Sequence, residues 1–269
     1  MTGSTRIAVL GGGNLGRALA RGWVESGRFE PSDVTVTRRS VGKLADLADE
    51  GMTVTSDNAG AVEGATTVVV AVQPQQVEGL LDAVRDSLEP GRHRVVSVAT
   101  GVSIATLRDH LADGVPAVRA MPNTAVHIGE AMTCLCADPA DGEALAAARE
   151  LFGALGRTLE LPEEMMTPAT ALCACGVAFF LRCVRAASQG GIEIGFHPEE
   201  ALLLAAQTAR GAASLLLEPG AHPESEIDRV TTPRGCTIAG LNEMEHHGLS
   251  SALIRGIVVS ARKAEALGD

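Results

Sequence analysis

Short apolar runs alternate with amphipathic stretches through the first half of the chain. Residues 6–10, Arg-Ile-Ala-Val-Leu, read as a strand. Leu15, Ala18, Leu19, Gly22 and Trp23 then recur at i, i+3, i+4, i+7 and i+8, one face of a helix that Gly27 ends. Val34–Thr37 predicts a second strand, and residues 41–50 a second helix. Residues 68–72 are apolar throughout, the pattern of a strand buried on both faces of a parallel sheet. Val77, Leu80, Leu81, Val84 and Leu88 mark another helix. Residues 94–99 and 117–121 are strands on either side of a helix over 103–111. This alternation predicts a doubly wound parallel α/β sheet. After residues 158–161 no convincing strand follows. Helices are expected at 163–193, 198–218, 237–247 and 249–267, with breaks at His197-Pro198 and Pro219-Gly220. Two domains are therefore expected: 1–161, α/β, and 162–269, all-helical. The apolar run over 171–181 is too short to span a bilayer and predicts an element buried on all sides, within the domain or between subunits. A small bundle cannot cover it alone, so a homodimer through the helical half is expected.

Composition narrows the class. Of 269 residues, 46% are apolar and 20% charged, which is the composition of a globular protein. Aromatics make up 2%, with no Tyr and one Trp, so the core must be built from Ala, Val, Leu and Ile. The net charge of −11 and the lack of a basic stripe argue against nucleic acid as a partner. The start, Met-Thr-Gly-Ser-Thr-Arg, runs into the first strand without a signal-peptide pattern, and a cytoplasmic location away from membranes is expected. The six cysteines are Cys134, Cys136, Cys173, Cys175, Cys183 and Cys236. Four of them form two C-x-C pairs, not the C-x2–4-C pairs of zinc sites, so no metal is expected. They are expected to be small buried thiols, and the apolar neighbours of Cys173 and Cys175 should raise their pKa and make them inert.

Gly11-Gly12-Gly13-Asn14-Leu15-Gly16 contains G-x-G-x-x-G after a strand and at the opening of a helix, the context in which the pattern binds a dinucleotide. Gly11 permits the tight turn, Gly13 lets the backbone approach a pyrophosphate, and Gly16 lets helix and strand pack closely. The helix N-terminus, at Asn14 and Leu15, offers N–H groups and a positive dipole end to the anion. A glycine turn at the edge of another α/β domain is the competing reading, and the context favours the cofactor. The second strand ends in Thr37-Arg38-Arg39-Ser40, where NAD binders usually carry an acid for the ribose 2′-hydroxyl. Guanidinium groups can hold a 2′-phosphate through paired donors. NADPH is therefore expected, with NADH as the alternative donor, against the bland reading of a solvated arginine pair.

Several segments together resemble the pyrroline-5-carboxylate reductase family, over nearly the whole chain. They are the glycine loop, Ala71-Val72-Gln73-Pro74, residues 97–101, Met121-Pro122-Asn123-Thr124, and Thr170-Ala171-Leu172. The most specific is Thr232-Pro233-Arg234-Gly235-Cys236-Thr237-Ile238-Ala239-Gly240-Leu241, followed by Glu243-Met244-Glu245. The resemblance implies NAD(P)H-dependent reduction of the cyclic imine 1-pyrroline-5-carboxylate to L-proline, the last step of proline biosynthesis. It also implies a cytoplasmic dimer with interlocked C-terminal helices, open to further assembly, whose active site lies between the nicotinamide and the partner's helices. Val72, Gln73 and Pro74 would pass beside the cofactor, and Ala99, Gly101 and Asn123 would approach its nicotinamide end. Met121, Cys175, Gly235, Cys236 and Thr237 would meet the substrate, with Thr237 as the catalytic residue. A loop over 233–235 would precede a helix beginning near Cys236, whose N–H groups suit a carboxylate. A protonated imine is already electrophilic, so positioning matters more than a strong general base. Thr237 as a helix-lining residue and Asn123 as a turn residue remain the alternatives. Pro122 is compatible with either isomer.

Four positions depart from the family's usual pattern. Gln73 stands for Lys, Thr167 for Asp, and Arg234 for the first glycine of Pro-Gly-Gly. Cys173-Ala174-Cys175-Gly176-Val177-Ala178 stands for Ser-Gly-Ser-Gly-Pro-Ala. Cysteine keeps the size of serine but bonds more weakly. Arg234 either adds a cation near the carboxylate or faces solvent. Two other functions compete. A reductase of another imine or a keto acid is one, but reduction of a carbonyl needs a lysine proton donor on a helix, and the only lysines are Lys43 and Lys263. A non-catalytic NADPH-binding regulatory dimer is the other, and the intact segment around Thr237 argues against it.

Overall fold

The computed structural model describes residues 5–265. The expected start of the chain and the last two residues of the expected final helix lie outside them. Eight strands form one sheet: β1 (Ile7–Leu10), β2 (Val34–Thr37), β3 (Thr53–Thr55), β4 (Thr67–Val70), β5 (Arg94–Ser97), β6 (Ala117–Pro122), β7 (Ala131–Ala137) and β8 (Gly156–Glu160). Their order is β3-β2-β1-β4-β5-β6-β7-β8. The sheet domain's helices are α1 (Asn14–Glu25), α2 (Ala45–Asp49), α3 (Asn58–Glu63), α4 (Val77–Val84), α5 (Ile104–Asp109), α6 (Gly142–Gly153) and α7 (Met166–Ala169). The expected helix over 41–50 begins as a 3-10 turn, Val41–Leu44, before α2.

The central strands are buried along their whole length. Alternate residues feed two cores. Ala8, Leu10, Val68, Val70 and Val95 face one, and Ile7, Val9, Val69, Val96 and Val118 face the other. The second core contains Trp23, whose Nε1 donates to the Leu151 carbonyl at 3.0 Å and whose ring meets Phe152 edge-on at 5.8 Å. Strand order reverses direction between β1 and β4, so the ends of these two strands open the crevice where such sheets bind ligands.

The sheet is parallel except for one pair: β7 runs antiparallel to β6. The connection explains the departure from the expected all-parallel sheet. A 3-10 turn, Thr124–Ile128, closes on Gly129 in the left-handed region at φ 69°, and so short a link can only reverse the strand. β8 then returns parallel to β7 through α6.

Residues 170–175 form a π-helical turn that joins α7 to α8 (Gly176–Glu193). Met166 and Ala169 are buried in the first core. Arg119 of β6, whose side chain is 8% exposed, pairs with Glu163 at 2.7 Å, and the same carboxylate oxygen accepts from Ile104 N at the start of α5. The boundary between compact units falls between Ala174 and Cys175, and the described residues from Ala261 onward join the first unit.

The second unit holds α8, α9 (Pro198–Leu215), α10 (Pro223–Val230), α11 (Cys236–His246) and most of α12 (Leu249–Glu265). The start of α9 is set by its sequence: His197 precedes Pro198 at the first helical position, and its N–H donates to Glu200 at 3.1 Å. α8 and α9 approach closely, since a Cβ on Gly191 would lie 3.0 Å from that of Ala201. Otherwise little is buried, and α10 and α11 bury no residue. Phe180, Leu181, Leu202, Leu203 and Leu204 are exposed, and Ile194 is 77% so. Of the run over 171–181, Ala171 and Gly176 are buried, whereas Leu172, Phe180 and Leu181 are left exposed by the described residues. The continuous helical stretch Glu163–Glu193 contains an 18-residue window of mean hydropathy 1.6 and is long and apolar enough to cross a membrane by length and composition. It carries Arg182 and Arg185 in its interior.

Candidate active site

β1 ends at Leu10 and the glycine turn follows. Gly11 has φ 118°, and a Cβ there would lie 2.6 Å from the Ala71 carbonyl oxygen. Gly11 N and Gly12 N both donate to the Thr37 carbonyl, at 3.3 and 2.7 Å, so the ends of β1 and β2 are tied together. A Cβ on Gly16 would lie 2.1 Å from the Gly11 carbonyl oxygen, which explains why helix and turn require glycine at both positions. Gly13 differs: a Cβ there would meet nothing within 4 Å. Its surroundings are open, and it caps α1 without a side-chain bond and with no acidic residue in the first turn. An uncapped helix start beside an open glycine fits a pyrophosphate.

A cleft of about 840 Å³ opens there, lined by Gly11, Gly12, Gly13, Thr37, Arg38, Arg39, Ser40, Asn58, Val72, Gln73, Gln76 and Gly79, among others. The structure thus brings together the glycine loop, the β2 end and the β4 end, as expected. Arg38 is half-buried, and its Nη1 donates to the Gly12 carbonyl at 2.8 Å. Arg39 is exposed and has no protein partner among the described residues. Asn58, at the start of α3, was not foreseen: its Oδ1 accepts from Thr37 Oγ1 at 2.5 Å. The Asp57 N-cap before it is the signal that would have marked α3. Gln73 and Pro74 lead into a 3-10 turn ahead of α4.

Ala99, Gly101, Met121 and Asn123 follow or close β5 and β6, and they do not line this cleft. Asn123 acts as a turn residue: its Oδ1 accepts from Ala125 N at 3.1 Å, and its Nδ2 donates to the Cys173 carbonyl at 3.4 Å. The peptide bond before Pro122 is trans.

In the second unit, Thr232-Pro233-Arg234-Gly235 forms a β-turn, with Gly235 N donating to Thr232 O at 2.9 Å. Arg234 holds φ 60°, the left-handed region that this turn demands at its third position and that glycine adopts more readily. Gly235 caps α11 without a side-chain bond, and Cys236 and Thr237 occupy the first two helical positions with exposed side chains. Cys175 is half-buried at the end of the π-helical turn.

The cysteines are not uniformly buried or inert. Cys183 and Cys236 are exposed. The sulfurs of Cys134 and Cys173 lie 3.7 Å apart. The hydrogen bond to Cys173, and then burial, hold the Cys134 thiol well above the ordinary range. The same bond draws Cys173 below it against the cost of desolvation. For Cys173 the sulfur–sulfur bond outweighs the apolar surroundings that were expected to raise it. Cys136 follows the expectation, pushed up to about 11 by burial.

Residues 163–267 match the family described as pyrroline-5-carboxylate reductase dimerisation, and residues 6–101 match NADP oxidoreductase, coenzyme F420-dependent. Pyrroline-5-carboxylate reductase 2 of Dictyostelium discoideum is 47% identical over 96% of this chain and 91% of its own length. Pyrroline-5-carboxylate reductase 1 of the same organism is 50% identical over 97% of this chain, which spans about half, 49%, of that relative. The crystal structure of Plasmodium falciparum pyrroline carboxylate reductase with NADP bound is 21% identical, covers 99% of each chain and has a TM-score of 0.87. The chain belongs to the pyrroline-5-carboxylate reductase family.

Proposed function

We infer that this chain reduces 1-pyrroline-5-carboxylate to L-proline with NADPH, the last step of proline biosynthesis. One observation carries the reading: the Thr232–Leu241 segment, with Arg234 as its departure from the family's pattern, opens α11 in a chain whose other half builds an uncapped glycine cleft. NADP is the cofactor named for the family matched by residues 6–101. Gly11, Gly13, Asn14, Leu15 and Gly16 would hold its pyrophosphate on α1, and Arg39 its 2′-phosphate. When bound, NADPH supplies a hydride to the C=N carbon. By the resemblance, Asn123 would serve the nicotinamide end, and Met121 and Cys175 would each serve the substrate. The N–H groups at Gly235 and Cys236 and the Thr237 hydroxyl orient the substrate's carboxylate and ring nitrogen.

The exposed apolar residues of the second unit support a homodimer through α8, α9 and the helices after them. The helix Glu163–Glu193 is then an interface element and not a membrane span. The six free thiols suit a reducing cytoplasm. The function is tested with purified protein, NADPH, and either 1-pyrroline-5-carboxylate or a panel of keto acids. Loss of NADPH absorbance with the imine alone supports the reading. Preference for a keto acid, or cofactor binding without turnover on any cyclic imine, defeats it.

A further inference from the structure

Two thiols of the first unit meet outside the cofactor cleft. Cys134 belongs to β7 and is 1% exposed; Cys173 belongs to the π-helical turn and is half-buried. Their sulfurs stand 3.7 Å apart, although the two residues are distant in sequence and lie on elements of different kinds. Both elements also touch the end of β6. Cys134 is directly opposite Met121 in the antiparallel register, and the carbonyl of Cys173 accepts from Asn123 Nδ2 at 3.4 Å. No step of the proposed reduction uses either sulfur.

We propose that Cys134 and Cys173 form a reversible disulfide that ties β7 to the π-helical turn and slows the enzyme by displacing the carbonyl held by Asn123. The oxidant is a peroxide. The Cys173 thiolate attacks one peroxide oxygen, the O–O bond breaks, and hydroxide leaves, giving a sulfenic acid at Cys173. The Cys134 sulfur then attacks the Cys173 sulfur, and the S–O bond breaks. The Cys134 proton leaves with the hydroxyl as water. Two thiols and one peroxide become one disulfide and two waters. A thiol or dithiol reductant reverses the change by exchange.

The division of labour follows from exposure. The half-buried Cys173 meets the peroxide, and Cys134, beneath it, resolves the sulfenic acid. The sulfur–sulfur hydrogen bond draws the Cys173 thiol down, and Cys173 is also the more accessible of the two sulfurs, so the attacking thiolate is placed there. Closing the bond requires the sulfurs to approach to about 2.05 Å. The turn can yield, because a π-helical turn carries an extra residue in a poorly bonded ring and sits in such places as a local defect. Cys173 moves toward β7, and its carbonyl leaves the amide of Asn123.

The effect on turnover rests on the reductase reading; formation of the bond does not. The full-length protein is treated with hydrogen peroxide, alkylated under denaturing conditions and digested. A linked peptide pair containing Cys134 and Cys173, lost on treatment with dithiothreitol, is the expected result. The treated enzyme should show a roughly fivefold lower kcat, the size of one neutral hydrogen bond lost, with unchanged NADPH affinity at the glycine cleft. Dithiothreitol should restore it. Cys134→Ala and Cys173→Ala should each keep their activity through the peroxide step. Full alkylation of both residues after peroxide, or a link that joins other cysteines, overturns the proposal. Equal inactivation of wild type and both variants overturns the effect on rate. If the untreated protein reduces no imine, the linked peptide still decides whether the disulfide forms.

Discussion

Arg38 donates from its guanidinium to the carbonyl of Gly12 at 2.8 Å, fastening the end of β2 to the glycine turn. The two neighbouring arginines therefore do different work. Arg38 shapes the cleft that Arg39 lines with an exposed guanidinium.

This difference predicts how the two substitutions separate. Arg39→Ala should raise the KM for NADPH by about tenfold or more, the size of one charge-assisted hydrogen bond, and leave the KM for NADH unchanged. Arg38→Ala should weaken both cofactors alike, because it loosens the turn. Steady-state kinetics with each cofactor distinguishes them, and equal loss for both cofactors in Arg39→Ala would remove it from the phosphate site.

The glycines separate in the same way. Gly16→Ala would drive a Cβ to 2.1 Å from the Gly11 carbonyl oxygen, so backbone must move, at a cost of about 2 kcal/mol or more. Gly13→Ala meets open space and should leave the unfolding midpoint unchanged. It should nevertheless weaken NADPH binding by about tenfold or more, because its methyl occupies the approach to the pyrophosphate. Urea unfolding and NADPH fluorescence titration of the two variants check this.

Glu163 neutralises Arg119, whose side chain is mostly buried, and also accepts from Ile104 N. Glu163→Ala leaves a buried guanidinium and a helix-start N–H without their partner. We expect a loss of about 2–3 kcal/mol, discounted because the carboxylate is partly exposed. Glu163→Gln keeps an acceptor and should lose about half as much. Denaturant midpoints measure both.

Thr237 is exposed at the second position of α11 and bonds no protein group among the described residues. Thr237→Ala should therefore leave the unfolding midpoint unchanged and lower kcat/KM by about tenfold. An unchanged kcat/KM would take the hydroxyl out of the site.

Much of this was legible in the chain, and the reasons are particular. β1 and β4 announce themselves because strands buried on both faces are nearly continuous apolar runs bounded by turn residues, and β2, β5 and β6 because short valine- and alanine-rich segments stand between turn signals. β3 is too short to show a period: Thr53-Val54-Thr55 has one apolar residue. β7 reads Ala-Met-Thr-Cys-Leu-Cys-Ala, where a threonine, small residues and cysteines interrupt the continuous apolar run expected of a strand buried on both faces. α10, Pro-Glu-Ser-Glu-Ile-Asp-Arg-Val, buries no residue and offers no stripe. In the cleft, the glycines and arginines were visible because their chemistry is local. Asn58 was not, because its role depends on the fold bringing α3 beside Thr37. The partnership of Cys134 with Cys173 likewise exists only once β7 and the π-helical turn are folded together.

Deuterium transfer probes the proposed chemistry most directly. The protein is given 1-pyrroline-5-carboxylate with NADPH carrying deuterium on one face of nicotinamide C4, and the products are read by mass spectrometry and NMR. The account predicts proline with one deuterium on the ring carbon that was doubly bonded to nitrogen, from one of the two faces only. Unlabelled proline from both stereospecifically labelled cofactors, or no proline while a keto acid becomes a labelled hydroxy acid, would contradict it.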